Sequence, residues 1–128
     1  MNPSDILNSI IVSAVPRHEI NQSVQGAQYV FSYHIVIQNN SSVPIQLKRR
    51  HWFISDGLFG EREVEGEGVI GQLPIIMPQS KFEYESWCPI ASDFGTMKGY
   101  FTFEELTDRK EFDVEVPPFV LLPEYVLN

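Results

Sequence analysis

The chain has one cysteine, Cys88, among 128 residues. No internal disulfide can form, so the fold rests on its own core. A lone cysteine suits a reducing compartment, and a cytoplasmic location is expected. Basic residues are also scarce: nine Lys and Arg against seventeen Asp and Glu leave a net charge of −8. That balance argues against general binding to nucleic acid or to an anionic membrane. No run approaches the roughly 18 uninterrupted apolar residues of a membrane-spanning helix. The first residues, 1-MNPSDILNSIIVSAV-15, have no positive stretch ahead of their short apolar run and do not read as a secretory leader. Long 3.6-period stripes, internal repeats and low-complexity tracts are missing too. The best place for a helical turn is near Pro3-Ser4-Asp5.

Hydrophobic residues make up 43% of the chain, and they recur with a period of two. In 29-YVFSYHIVIQ-38, Tyr29, Phe31, Tyr33, Ile35 and Ile37 alternate with a more polar set, as a half-buried strand requires. Extended patterns recur in 10-IIVSAV-15, 45-IQLKRRHWFISD-56, 61-EREVEGEGVIG-71, 81-KFEYESW-87, 97-MKGYFTFEEL-106 and 111-EFDVEV-116. Asp56-Gly57 and the cluster 107-TDRK-110 mark turns, and Pro117-Pro118 is expected to stop the last strand. About seven short strands with turns every 8–12 residues or so predict an all-β sandwich or barrel, a single domain over 1–128.

One stretch carries a nucleotide-like signature. The segment 66-GEGVIG-71 fits G-x-G-x-x-G, which in a dinucleotide fold must open a helix whose N-terminus holds the pyrophosphate. Here only nine residues, 72-QLPIIMPQS-80, lead to the next strand, and two are prolines. An interior proline costs a helix about 3 kcal/mol, and a parallel crossover needs about a dozen residues. Glu61, Glu63, Glu65 and Glu67 against the single Arg62 also repel phosphate. A Rossmann reading is excluded. Two readings remain: the glycines supply positive φ, a bulge or close packing, or they form a backbone nest that binds an anion without a helix.

The one basic cluster is 48-KRRH-51. Simple alternation sets Lys48 and Arg50 on one face and Arg49 and His51 on the other. The cluster either offsets the acidic strands in cross-strand pairs or, with Gly66, Gly68 and Gly71, makes an anion site from Arg49, Arg50 and His51. The histidines His18, His34 and His51 are scattered, and no metal-ligand spacing, P-loop or G-x-S-x-G occurs. A non-enzymatic protein without a cofactor is expected, its carboxylates offering at most weak association with Mg²⁺ or Co²⁺. Cys88 reads as a small buried hydrophobe and His34 as a packed or hydrogen-bonded histidine. Trp52, Phe59, Trp87, Phe94 and Phe119 lie near strand ends or loops; most should be core, and any that cluster outside would make a protein-binding patch.

Several strings together, 50-RHWFISDG-57, 66-GEGVIGQLPIIMP-78, 82-FEYESWCPI-90, 95-GTMKGYF-101 and 112-FDVEVPPFVL-121, resemble the ApaG (CorD) family over about Ile10 to Leu122. The resemblance implies an immunoglobulin-like or fibronectin type III-like β-sandwich. It places the family's glycine motif, discussed as a pyrophosphate site, at Gly66, Gly68 and Gly71. It also implies links to cobalt and magnesium resistance and to diadenosine tetraphosphate metabolism. Similar domains in eukaryotic F-box proteins and a DNA polymerase-interacting protein imply protein binding. Two departures stand out: the basic run Lys48-Arg49-Arg50, and Gln79-Ser80 where a Pro-Gly-type turn is expected. The expected function is a module that binds a protein partner not yet identified; the alternative is a small-ligand module for pyrophosphate or a nucleotide phosphate. Edge strands would also permit a homodimer, although the charged strands protect against it.

Overall fold

A computed structural model describes residues 3–22 and 28–127. A short helix α1 (Pro3–Asn8) starts where the sequence favours a helical turn. The strands β1 (Ile10–His18), β2 (Tyr29–Asn39), β3 (Ile45–Asp56), β4 (Gly60–Glu67), β5 (Ile75–Ile76), β6 (Ser80–Ile90), β7 (Gly95–Glu105) and β8 (Lys110–Leu121) follow, with α2 (Glu124–Leu127) at the end. Seven of the eight are full strands, and β5 is a two-residue pairing on β3.

All pairings are antiparallel. One sheet runs β1-β2-β6 and the other β4-β3-β7-β8. Away from two register shifts, the inward set of each strand is the one its alternation marks. Phe31, Tyr33, Ile35 and Ile37 of β2 meet Trp52 and Ile54 of β3, Met97, Phe101 and Phe103 of β7, and Val114 and Val116 of β8. Trp52 is the hub: its ring meets Tyr33 at 5.5 Å, Phe101 at 5.8 Å and Phe119 at 6.0 Å, all edge-on. Such T-shaped pairs add about 0.5–1.5 kcal/mol each beyond area burial. This is the antiparallel two-sheet sandwich that the strand count and turn spacing predict.

Two expectations need correction. Pro117 and Pro118 do not stop β8, which continues to Leu121. They fall where the β7–β8 register shifts, between Met97↔Phe119 and Gly99↔Val116. β8 is also an edge strand, so a missing N–H there breaks no ladder on its free side. The basic run does not alternate throughout either: Lys48 departs from the pattern. A bulge between Leu47 and Arg49 inserts one extra residue. Leu47 and Trp52 are both buried although they differ in parity. Lys48 therefore joins Arg49 on the outer face, 3.5 Å from Glu104, while Arg50 turns to the inner side.

Gln79 takes the place a glycine-type turn would fill and adopts φ 62°. Its side-chain amide donates to the carbonyls of Asn40 and Ser41, both at 3.3 Å. Local hydrogen bonds thus hold a left-handed backbone that glycine would reach without strain.

Candidate functional site

The glycine segment is built in two parts. Gly66 lies in β4 opposite Arg50 of β3, so the first glycine and the basic run are cross-strand neighbours. Its role is space: a Cβ there would meet the Arg50 guanidinium at 3.0 Å. Beyond β4 the chain makes a second, tiny hairpin. Val69 and Gln72 exchange backbone hydrogen bonds of 3.0 and 2.8 Å around Ile70-Gly71, whose φ values are 44° and 77°. Two positive φ angles in a two-residue loop are the geometry that Asn-Gly normally fills. Gly68, with φ 63°, turns the chain into this hairpin, and a Cβ there would overlap the Gln72 carbonyl oxygen. No helix follows, and the N–H groups of Gly68, Val69 and Gln72 are taken by the carbonyls of Lys48, Gln72 and Val69.

Four of the six residues of the candidate anion site come together; Gly68 and Gly71 do not join them. Arg49, Arg50, His51 and Gly66 line an open hollow of about 500 Å³ with Glu65, Glu67 and Tyr100. Two of its cations are matched by carboxylates outside it, Lys48 by Glu104 and Arg49 by Glu111. Arg49 Nη2 donates to Glu111 across β7 at 2.6 Å, which raises the arginine's pKa and lowers the carboxylate's. His51 stacks on Phe53 and Tyr100, at 4.6 and 5.1 Å between ring centres. Its Nε2 lies 3.1 Å from Glu63 and its Nδ1 3.1 Å from Glu65. Arg50 is different. Its Nη1 donates to the carbonyls of Glu67 and Gly68, at 3.1 and 2.9 Å, and it pairs with no carboxylate among the described residues. Gly71 faces a separate cavity, which it shares with Arg50.

Sequence reasoning missed the residues of the opposite sheet that line this cavity with Arg50: Tyr33, Tyr84 and Ser86. The alternation in β2 and β6 already placed Tyr33 and Tyr84 on inward faces.

At the far end of β3 the structure builds a rigid corner. Asp56 is buried, and its carboxylate accepts from Ala91 N–H at 2.8 Å, Ser92 N–H at 2.9 Å and the Ser92 hydroxyl at 2.5 Å. Burial pushes its pKa up, but these hydrogen bonds together outweigh burial and hold it below the usual aspartate value. The clamp joins the β3–β4 turn to the β6–β7 loop, and Leu58 N–H donates to Ser92 Oγ at 3.2 Å. On this corner Leu58 and Phe59 are 84% and 71% exposed, and Phe94 is 47% exposed. Trp52 and Phe119 have gone into the core, whereas Phe59, Trp87 and Phe94 stay outside.

Cys88 is buried, and burial raises its thiol pKa to about 11. His34 is hydrogen-bonded to Glu83 at 2.9 Å. Among the described residues no three His, Cys, Asp or Glu side chains converge to hold a metal ion, and no helix is long and apolar enough to cross a membrane.

The family model for the ApaG domain matches residues 19–105. Protein ApaG of Aromatoleum aromaticum is 42% identical over 101 residues, 79% of each chain. Protein ApaG of Chromohalobacter salexigens is 38% identical over 119 residues, 92% of this chain and 94% of that one. A crystal structure of a Bordetella pertussis protein named ApaA superposes with a TM-score of 0.83 at 39% identity, over 90% of this chain and 94% of the other. The chain belongs to the ApaG family.

Proposed function

We propose that this ApaG chain is a non-enzymatic, cytoplasmic binding module that engages a protein partner through the corner made by Leu58, Phe59 and Phe94. The observation that carries this reading is the Asp56 clamp. Three hydrogen bonds on one buried carboxylate fix two loops whose most exposed residues are large and apolar. Scattered exposed apolar residues need no explanation, but a pinned cluster is the form of a docking patch. Aromatic anchors on a rigid support bind with little loss of conformational freedom. The open hollow beside Arg49 and His51 supports phosphate binding less well, because Glu111 already pairs with Arg49 and Glu104 with Lys48, and Glu65 and Glu67 line the hollow. Links to cobalt and magnesium resistance or to dinucleotide metabolism then run through a partner rather than through chemistry of this chain.

The test is a paired capture with crosslinking from cells expressing the tagged wild type, Phe59→Ser or Trp87→Ser. A partner enriched by wild type and Trp87→Ser but lost with Phe59→Ser is the expected result. A partner set that Phe59→Ser leaves unchanged would refute the reading.

A further inference from the structure

Four strands end the two sheets: β1 and β6 on one, β4 and β8 on the other. A sheet edge with free N–H and C=O groups recruits further strands, and proline along it is a common guard. Pro16 lies in β1, Pro89 in β6, and Pro117 and Pro118 in β8. β4, 60-GEREVEGE-67, has none, and all of its residues except Gly66 are exposed. It is the one edge strand that keeps every backbone donor.

The strand register fixes where those donors point. Hydrogen-bonded pairs alternate along an antiparallel ladder. Gly68 N–H donates to the Lys48 carbonyl at 2.8 Å, and the same phase makes Arg50↔Gly66, Trp52↔Val64 and Ile54↔Arg62 the bonded pairs. The N–H and C=O groups of Glu61, Glu63 and Glu65 therefore point away from β3, into the space a further strand would take. The strand is already held in place from its inner side. Arg62 Nη2 donates to the Pro89 carbonyl of β6 at 2.8 Å, and Arg50 Nη1 donates to the Glu67 and Gly68 carbonyls at 3.1 and 2.9 Å. A template fixed beforehand loses little freedom on binding.

The side chains of these same residues select the occupant. Glu61, Glu63, Glu65 and Glu67 alternate with Arg62, Val64 and Gly66. They lie on the outer face, where Glu63 and Glu65 each meet His51 at 3.1 Å. Glu61 and Glu67 make no ion pair among the described residues. Residues directly opposite one another in a ladder share a face, and like charges so placed repel. A second copy of this chain, paired antiparallel through the outward groups of β4, would set glutamate against glutamate in every register. A strand with lysine or arginine at alternate positions would instead set a cation against each glutamate. Its intervening residues would fall on the inner face beside Arg62 and the partly exposed Val64, where an apolar side chain fits and a cation does not.

We infer that the free edge of β4 is a docking site for an extended protein segment with basic residues at alternate positions, which joins the sheet as a strand antiparallel to β4. Its backbone bonds to Glu61, Glu63 and Glu65, and its cations lie beside the same three carboxylates. The glutamate row keeps copies of this chain apart and admits a partner of opposite charge. The edge is a second surface, separate from the Leu58–Phe59 corner, and neither depends on the other.

The test is a titration of the ¹⁵N-labelled chain with a capped peptide of alternating lysine and valine. Two further peptides of equal charge and composition are compared, one N-methylated on its lysines and the other on its valines. Lysines opposite Glu61, Glu63 and Glu65 exchange both backbone hydrogen bonds with them, so methyl groups on the lysines block the pairing and methyl groups on the valines leave it intact. The expected result is a saturable downfield shift of the Glu61, Glu63 and Glu65 N–H signals, with Ser92 to Phe94 silent. Lysine methylation should weaken binding about ten-fold or more, and valine methylation should not. Glu61→Gln should weaken the unmethylated peptide about two- to five-fold, the worth of one exposed ion pair. Its urea midpoint should hold, because Glu61 has no ion pair to lose. A peptide of alternating glutamate and valine should not bind. Silence at Glu61, Glu63 and Glu65, equal affinity of the two methylated peptides, an unchanged Kd in Glu61→Gln, or binding of the glutamate peptide at this edge would each overturn the inference.

Discussion

Replacing the three glycines of 66-GEGVIG-71 by alanine, one at a time, separates a backbone role from a ligand cradle. Gly68 sits at φ 63°, which costs an L-residue about 1–2 kcal/mol. A Cβ there also overlaps the Gln72 carbonyl oxygen, which accepts the Val69 N–H at 3.0 Å. Moving that carbonyl weakens a hydrogen bond worth about 1 kcal/mol. The sum for Gly68→Ala is about 2–3 kcal/mol. Gly71 shares the left-handed backbone, φ 77°, but a Cβ there meets nothing, so only the conformational cost of about 1 kcal/mol applies. Gly66 has no positive φ, and its Cβ meets only the movable end of Arg50. In a strand alanine gains about 0.5–1 kcal/mol over glycine, so Gly66→Ala should be neutral within about 0.5 kcal/mol. Equilibrium urea unfolding measures all three, with an unchanged m-value showing that only stability moved. Equal losses at the three positions, or the largest loss at Gly66, would refute the reasoning.

Other outcomes follow from the same geometry. Ile70→Asn should raise stability by about 1 kcal/mol, since Asn-Gly suits the turn that Ile-Gly now makes; a lowered urea midpoint contradicts this. Hydrogen bonds outweigh burial to hold Asp56 below its usual pKa, as the Thr107 and Asp108 N–H groups do for Glu105. A depressed carboxylate stabilises the fold above its unfolded pKa, near 4, and that stability is lost as pH falls through the lower folded value. The wild type should therefore lose stability steadily below about pH 4, and Asp56→Asn should start less stable at pH 7 and show a shallower acid slope; parallel pH profiles would contradict this. The Cys88 thiol, pushed up to about 11 by burial, should be inert to a thiol reagent at pH 8 in the native protein and react freely in urea. Rapid labelling of the folded chain would contradict the packing described.

Much of the sandwich is legible because the alternation in 29–38, 81–87 and 111–116 names the inward residue set directly. The meaning of the glycine motif is also readable: two prolines and a short return exclude a helix, and Gly68 and Gly71 do supply positive φ. Residue identity does not reveal where the period breaks. The bulge at Leu47 and Arg49 moves Lys48 to the face of Arg49, and it depends on β7 pairing rather than on local preference. β8 passes through Pro117-Pro118 because it is an edge strand at a register shift, a property of sheet order. The grouping of Arg50 with Tyr33 and Tyr84 joins three strands from two sheets. Alternation gives the face of each strand but not which strands stand opposite one another.

The most direct test of the binding-module account is a shift map of the labelled chain as a captured partner is titrated in. The account predicts perturbations centred on Gly57, Leu58 and Phe59 and on Ser92 to Phe94, with the outer face around Arg49, Glu63 and Glu65 silent. Shifts confined to that outer face, with the Leu58–Phe59 corner unmoved, would contradict it.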